Sequence, residues 1–166
     1  MDVIKMTHVK KQYKNGVTAI HDMNLNIEKG DFVFIIGSTG CGKSTLIKMI
    51  YREEKPTSGK IMVGGVDVAK LRNSKVYKIR RKIGVVFQDF KLLICDEPTG
   101  NLDEVTSMEI MNVLEEINKM GTTIIMVTHD TDIVNRMKKR VNLLDSGRIL
   151  KDFEKGTYNH ESVKNH

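Results

Sequence analysis

A glycine-rich stretch of eight residues, Gly37 to Ser44, carries the clearest chemical signal in this sequence. Its letters, GSTGCGKS, fit the pattern G-x-x-x-x-G-K-[ST] and lie between a continuously apolar strand, FVFIIG, and a segment of helical periodicity. Glycines let the backbone curl so that successive N–H groups point at phosphate oxygens, and the helix N-terminus adds partial positive charge. The stretch therefore predicts a phosphate-binding loop that holds a nucleotide.

The side chains of this loop have separate predicted roles. We expect Lys43 to reach the β- and γ-phosphates and the Ser44 hydroxyl to bind Mg²⁺. The predicted nucleotide-binding set is completed by the neighbouring positions Gly37, Ser38, Thr39, Gly40, Cys41, Gly42 and Thr45. ATP is favoured over GTP because the guanine-binding pattern N-K-x-D is missing: the letters NKMG at 118–121 lack its aspartate.

Two carboxylates follow another apolar strand, LLICDE. Asp96 can hold Mg²⁺, usually through water, and Glu97 can polarise the water that attacks the γ-phosphate. Pro98 ends the strand. Isolated surface carboxylates are mostly solvated loop residues, but the phosphate loop in the same chain favours a catalytic role for this pair.

Three further side chains lie at predicted strand ends. His129 follows TTIIMVT, where it can touch the γ-phosphate and orient Glu97; Gln88 ends IGVVFQ, where its amide can contact Mg²⁺ or the attacking water. Tyr13 precedes a long strand and either stacks on adenine or packs in the core or on the surface. The predicted catalytic residues are thus Glu97, His129 and Gln88, and the predicted metal ligands are Ser44, Gln88 and Asp96.

Strands and helices alternate along the chain, which predicts an α/β fold with a parallel core sheet and an antiparallel edge sheet. Half-exposed strands are predicted for VIKMTHV, TAIHDMNLNI and KIMVGGVDV, and a short basic helix for NSKVYKIRRK. An amphipathic helix, VTSMEIMNVLEEINKM, has a predicted apolar face of Ile110, Val113, Leu114 and Ile117. Asp130 is a predicted helix N-cap, Ser146-Gly147 a predicted hairpin turn, and residues after about 156 a predicted frayed tail.

Composition excludes several classes of protein. The chain has 166 residues, 40% hydrophobic and 29% charged, which fits one globular domain. Cys41 and Cys95 have no pairing pattern and indicate a reducing compartment. No apolar run approaches the roughly 18 residues of a membrane span, so we expect a soluble intracellular protein. The net charge of +6 suits an anionic partner, such as a nucleotide, a nucleic acid or the inner membrane face, or simply a lysine-rich surface.

The order of the motifs resembles the nucleotide-binding subunits of ABC-type ATPases: a phosphate loop, Gln88, ICDEPTGNLD and MVTHD. The segments YREEKPTSGKI and GVVFQDFKLL resemble the FtsE type, from bacterial cell division, more than the lipoprotein and macrolide exporters. This resemblance implies a P-loop NTPase core plus an antiparallel β subdomain, with ATP and Mg²⁺ as ligands. It also implies that His129 is the switch histidine and that Asp103 lies in a loop communicating across a head-to-tail homodimer.

The same resemblance implies a cellular setting. FtsE-type subunits work in the cytoplasm, peripheral on the inner face of the membrane, beneath an FtsX-like integral membrane protein. There they couple ATP turnover to cell division and to activation of cell-wall hydrolases. An ABC exporter ATPase is an alternative. A nucleic-acid-handling ATPase is suggested only by the basic charge balance and by KIRRK and MKKR. Such runs are more typical of solvated helix faces, so no nucleic acid is expected.

One departure from the family is severe. ABC ATPases carry an L-S-G-G-Q-like signature in a helical subdomain between the glutamine and the acidic strand, and this chain has no S-G-G. Gln88 and Asp96 must both lie at the carboxyl edge of the sheet, yet only residues 89–91 separate their strands. These span roughly 14 Å, whereas returning along a five-residue strand takes about 17 Å. A hairpin would fit but would carry Asp96 to the opposite edge.

We therefore predict one ABC-type domain over 1–166 from which a helical subdomain is missing between about 92 and 94. If that segment is truly absent from the protein, the prediction becomes a nucleotide-binding module without hydrolysis.

Overall fold

The computed structural model describes residues 1–80, residue 83 and residues 92–155. Of the predicted strand IGVVFQ, only Ile83 belongs to this part of the chain, so Gln88 lies outside the described residues, as does the predicted tail after about 156. The described strands form two sheets, one of four strands and one of five. Their facing surfaces bury a shared apolar core to which β-strands of both sheets and the first helix contribute.

The four-stranded sheet is antiparallel, in the order β2-β1-β4-β5. Its strands are β1 (Asp2–Gln12), β2 (Thr18–Glu28), β4 (Ser58–Val63) and β5 (Val66–Asp67). Along β2, Met23, Leu25 and Ile27 are all buried, as the alternation predicts. The prediction of a single strand for KIMVGGVDV is wrong. Gly64 and Gly65 have positive φ angles of 52° and 78° and turn the chain back on itself, a conformation that glycine adopts without steric cost.

The five-stranded sheet, in the order β6-β7-β3-β8-β9, confirms the predicted α/β core. Its strands are β3 (Phe32–Ile36), β6 (Leu92–Asp96), β7 (Thr123–Val127), β8 (Arg140–Asp145) and β9 (Arg148–Phe153). The first four in that order are parallel, and every residue of β3 and β7 is buried, as expected for strands covered on both faces. β9 returns antiparallel to β8 through the predicted turn at Ser146-Gly147.

Four helices complete the described part: α1 (Lys43–Ile50), α2 (Val76–Arg80), which follows a 3₁₀ turn at Asn73–Lys75, α3 (Glu104–Lys119) and α4 (Thr131–Met137). Among these helices, none is both long and apolar enough to cross a membrane. The predicted apolar face of α3 is partly wrong: Val113 is 55% exposed, whereas Met111 is fully buried. The buried stripe of α3, which faces β7, consists of Ser107, Met111 and Leu114. Val113 is two residues from Met111, so its side chain points roughly 200° away around the helix.

Aspartates cap α3 and α4. The Asp130 carboxylate accepts the N–H groups of Asp132 and Ile133 at 3.0 and 3.1 Å, which confirms the predicted N-cap. The Asp103 carboxylate accepts the Thr106 N–H at 3.0 Å and the Thr106 hydroxyl at 2.7 Å. These hydrogen bonds favour the ionised form and lower the pKa of Asp103 below its usual value.

The two sheets touch at the β8–β9 turn. The Gly147 N–H donates to the Cys41 carbonyl at 2.9 Å, and the Gly147 carbonyl accepts the His21 N–H at 2.8 Å. A Cβ at Gly147 would lie 2.5 Å from the Ala19 carbonyl oxygen, so no side chain fits. The turn thus joins β2 to the loop that precedes α1 by direct backbone contact.

Replacing Gly147 with alanine should therefore destabilise the protein more than the same change at Gly121. Both glycines have positive φ, 73° and 87°, and an L residue there costs about 1–2 kcal/mol at each. Only Gly147 adds a backbone collision, since a Cβ at Gly121 would have no atom within 4 Å. Urea denaturation should show a further loss of at least about 1 kcal/mol for G147A; equal losses would mean that the contact is loose.

The Asp103 cap should give a pH-dependent stability. Its folded-state pKa is lowered, so its contribution is fully present above the unfolded-state pKa and disappears as pH falls through the folded-state value. The variant D103N keeps a capping oxygen but has no titrating group. The difference in free energy of unfolding between wild type and D103N should be constant near neutrality and should shift against the wild type below about pH 4. A pH-independent difference would contradict the cap.

Candidate nucleotide-binding site

The phosphate loop connects β3 to α1, and tight packing fixes its course. A Cβ at Gly37 would lie 2.1 Å from the Leu144 carbonyl oxygen, and one at Gly42 would lie 2.7 Å from the Ala19 carbonyl oxygen. Gly42 also has a φ of 112° at the N-cap of α1, where a side chain would be strained. The spacing of glycines in the sequence therefore reflects close approach to β8 and β2 as well as the curl around phosphate.

Lys43 is folded back onto its own loop. Its ammonium donates to the Gly37 and Ser38 carbonyls at 2.7 and 2.9 Å, and it lies 3.9 Å from the Cys41 sulfur. These contacts hold a positive charge inside the curl of the loop. A phosphate entering the loop would meet an ammonium that is already at the site and already oriented by carbonyl oxygens.

Parallel pairing brings the acidic strand end to the same edge of the sheet. Asp96 pairs with Val127 of β7, and Val127 pairs with Ile35 of β3, directly before the phosphate loop. The hairpin arrangement, in which Asp96 lies at the far edge, is therefore not adopted. At the other end of β6, Leu92 forms a parallel bridge with Ile83.

One open cleft of about 460 Å³ brings together most of the predicted loop residues and both carboxylates, but its lining does not include Gly37, Ser38, Tyr13 or His129. Its lining consists of loop, helix and strand-end residues: Ala19, Thr39, Gly40, Gly42, Lys43, Ser44, Thr45, Asp96 and Glu97. Cys41 is buried beneath the loop. The cleft thus combines a lysine, a serine hydroxyl and two carboxylates, which are the groups that a phosphate chain and a divalent cation require.

Glu97 is held in a strained position at the strand end. Its φ is +49°, a left-handed conformation that costs a non-glycine residue of order 1–3 kcal/mol. Its N–H donates to the Val127 carbonyl at 2.9 Å. Its carboxylate accepts the Thr128 hydroxyl at 3.4 Å and lies 2.8 Å from Nδ1 of His129. Because a carboxylate only accepts, Nδ1 carries the proton of this contact, and Glu97 is fixed from two directions.

Tyr13 lies beside the cleft. Its hydroxyl is 3.1 Å from the Thr45 hydroxyl, on the first turn of α1. The ring is half-buried and has the Lys11 ammonium 4.9 Å from its centroid. The ring is therefore attached to the helix that carries the phosphate loop.

The side chains present fit a magnesium ion. Ser44 and Asp96 line the same cleft and offer a hydroxyl and a carboxylate oxygen, the hard oxygen donors that Mg²⁺ prefers. Mg²⁺ takes few protein ligands and completes its shell with water and phosphate oxygens. Within the described residues no group of three or more His, Cys, Asp or Glu is arranged to hold a metal ion.

Sequence reasoning missed two contributors to this cleft. Ala19 lines it from β2, and Thr128 donates to Glu97. The position of Thr128 between a buried strand and His129 was a usable signal, whereas nothing local marks Ala19.

A larger cleft, about 720 Å³, lies at the opposite edge of the sheet. There the Arg140 guanidinium is already paired with Asp31 and Asp152.

Comparison with known proteins agrees with this geometry. Residues 20–162 match the ABC transporter family. The cell division ATP-binding protein FtsE of Bacillus subtilis is 38% identical over 224 residues, covering 94% of this chain and 98% of that protein. FtsE of Mycobacterium tuberculosis is 35% identical over 225 residues, with the same coverage. Since the chain has 166 residues, an aligned span of 224 leaves at least 58 aligned positions without a residue here.

Solved structures agree on the fold. The dimeric ATP-binding cassette MJ0796, in a post-hydrolysis state bound to ADP and Pi, superposes with a TM-score of 0.82 at 24% identity, covering 94% of this chain and 99% of that one. The family match spans most of the chain, and the two curated relatives share more than 30% identity over nearly all of it. The chain therefore belongs to the ABC transporter family, as an ATP-binding cassette ATPase.

Proposed function

We propose that this chain is the ATP-binding and ATP-hydrolysing subunit of an FtsE-type complex. The observation that carries the proposal is the cleft that Lys43 and Ser44 of the phosphate loop line together with Asp96, at the end of β6, and Glu97, which follows it. Similarity to FtsE of Bacillus subtilis and Mycobacterium tuberculosis supports the type. The reaction is transfer of the γ-phosphoryl group of ATP to water.

Binding depends on residues of the loop. The triphosphate accepts hydrogen bonds from the loop backbone, with partial positive charge from the N-terminus of α1. Lys43 exchanges its carbonyl partners, Gly37 and Ser38, for phosphate oxygens. Ser44 and Asp96 would hold Mg²⁺, which would supply positive charge to the phosphate chain. The adenine stacks on Tyr13, which the Thr45 hydroxyl connects to the same helix.

Hydrolysis depends on Glu97 as the general base. A base must sit within hydrogen-bond reach of the water that it deprotonates and must keep its orientation. Thr128 and His129 fix the carboxylate from two directions, so little reorganisation is needed when water arrives. Through this contact His129 positions Glu97. A hydrogen bond from Nε2 to a γ-phosphate oxygen requires that the ring carry a proton on that nitrogen as well. Gln88 would complete the site as a ligand of Mg²⁺ or of the water.

We propose that the chain works as a homodimer. The cassette MJ0796 is described as dimeric, and a symmetric homodimer of this chain would place Asp103, at the start of α3, near the partner's nucleotide. We propose that the dimer lies in the cytoplasm against the inner membrane face, beneath an FtsX-like integral membrane protein. There ATP turnover would drive cell division through cell-wall hydrolase activation.

We also propose that the sequence lacks an internal helical segment. The predicted position between about 92 and 94 would interrupt β6, which pairs with β7 at every residue from Leu92 to Asp96, so we place the segment before Leu92. The bridge between Ile83 and Leu92 supports it: were pairing to continue from Ile83 toward Gln88, the chain would end at the edge where Asp96 lies. The three residues 89–91 reach roughly 14 Å, less than the strand length to be retraced. The 224-residue match to the Bacillus protein supplies a segment of sufficient size.

A second candidate function follows if the 166-residue chain is the whole protein. Binding residues lie within one local loop, so ATP affinity would persist. Hydrolysis would be lost. In the family that this chain resembles, the signature segment of one subunit contacts the nucleotide bound to the other, and this sequence has no such segment. The chain would then be a nucleotide-binding module.

The binding and catalytic roles separate by substitution. Lys43→Ala should weaken MgATP binding at least about tenfold, because charge-assisted hydrogen bonds to phosphate are lost. Glu97→Gln should leave ATP affinity within about threefold but reduce turnover by about 10²–10⁴. Isothermal titration measures the ATP affinity, and an assay of phosphate release measures the turnover. Both use the natural protein, including any internal segment.

Matched controls are a lysine on the same helix as Lys43 and a glutamate outside the cleft. Lys48 is an exposed lysine of α1 and Glu109 an exposed glutamate of α3, so K48A and E109Q should change neither affinity nor turnover. Unchanged ATP binding in K43A would overturn the assignment of the site. Unchanged turnover in E97Q would remove Glu97 as the base.

The chain length can be decided directly. We expect the protein isolated from its natural source to exceed 18.9 kDa by several kDa, because the internal segment would be present. Intact-mass spectrometry reads this. A mass of 18.9 kDa would contradict the missing segment and favour the nucleotide-binding module. Such a module should bind ATP without releasing phosphate.

A further inference from the structure

Lys11 is an unusual lysine because it is buried. It is 9% exposed, whereas lysines are rarely buried unless paired. Its ammonium donates to the Glu54 carboxylate at 2.6 Å and to the Lys55 carbonyl at 2.9 Å. These two acceptors, both in the segment that follows α1, offset the loss of water around the charge. The ammonium is therefore fixed in place and not free to swing into solvent.

The fixed charge lies against Tyr13. The Lys11 nitrogen is 4.9 Å from the centroid of the ring, within the distance at which a cation interacts with an aromatic face. The phenol hydroxyl of Tyr13 forms a hydrogen bond with the Thr45 hydroxyl. Tyr13 is thus held at two points, one on its face and one at its hydroxyl, while the half-buried ring retains surface for another partner.

We propose that Lys11 is a positioning residue that sets nucleobase affinity by acting through Tyr13. This rests on the proposed function, in which adenine stacks on that ring. A ring has two faces, and since Lys11 covers one, the base stacks on the other. The cation draws ring electron density toward itself, which leaves the opposite face better matched to an electron-rich purine.

The same arrangement lowers the cost of ordering the ring. A single exposed tyrosine must lose rotamer freedom when a base stacks on it. Here the Glu54–Lys11 pair and the Thr45 hydroxyl fix the ring beforehand, and preorganisation raises affinity. Because Thr45 directly follows Ser44, the base platform and the phosphate loop are held as one unit. Lys11 should therefore affect recognition of the base but not of the phosphates.

The test compares ATP, which carries a nucleobase, with inorganic tripolyphosphate, which does not. Isothermal titration with Mg²⁺ gives the dissociation constants of ATP and of inorganic tripolyphosphate for wild type, Lys11→Met and Lys10→Met. Methionine keeps the apolar stem and removes the charge. We expect K11M to weaken ATP binding roughly three- to tenfold and to leave tripolyphosphate binding unchanged. Lys10, an exposed neighbour on β1, should be neutral in both.

A double-substitution cycle excludes a merely structural effect. In a Tyr13→Leu background, K11M should no longer change the ratio of the two dissociation constants, because the ring through which it acts is gone. Should K11M fold poorly, Glu54→Ala removes one of the two acceptors that hold the ammonium against the ring, and it should raise the dissociation constant of ATP relative to that of tripolyphosphate, as K11M does. Equal weakening of both ligands by K11M, or an effect that persists without Tyr13, would overturn the proposal.

The outcomes also distinguish this proposal from the one on which it rests. If K43A leaves binding of both ligands intact, the phosphate loop is not the site and the proposed function fails. If K43A weakens both ligands while K11M weakens neither, the site stands and the role of Lys11 fails.

Discussion

Three backbone segments meet at the phosphate loop, and the rest of the site depends on that contact. Gly37 packs against the Leu144 carbonyl, and Gly42 and Gly147 pack against the Ala19 carbonyl, each at a distance that excludes a Cβ. The contact joins β2, which belongs to the antiparallel sheet, to the loop and to the β8–β9 turn of the parallel sheet. Base, phosphate and acidic positions therefore share one rigid framework, since backbone packing of this kind has no side chain that can adjust.

Parallel pairing supplies the second constraint. The carboxyl ends of β3, β6 and β7 lie along one edge, which is where open α/β sheets bind ligands. Glu97 follows directly and takes a left-handed conformation that only surrounding contacts make tolerable. Its N–H bond to β7 and the bonds from Thr128 and His129 provide them. Strain of this kind is typical of residues whose geometry serves catalysis.

Charges at the site are compensated by neighbours within the chain. Lys43 is bound to carbonyls of its own loop, Glu97 to His129, and Lys11 to Glu54. Each group is thereby oriented without a ligand, which is the condition for electrostatic preorganisation. Nucleotide binding would replace the partners of Lys43 while leaving those of Glu97 and Lys11 in place, so the Tyr13 ring and the Glu97 carboxylate need not rearrange together with the loop.

The sequence by itself determined what short-range chemistry controls: the phosphate loop within eight residues, the Asp130 cap, the turn at Ser146-Gly147 and the α/β alternation. Spacing along the chain is enough for these, because the interacting groups are a few residues apart. Only the tertiary structure decided that β6 runs parallel beside β7, that α3 buries Met111 and not Val113, and that Lys11 lies under Tyr13. Each of these depends on groups brought together by packing between distant elements, for which local pattern carries no record.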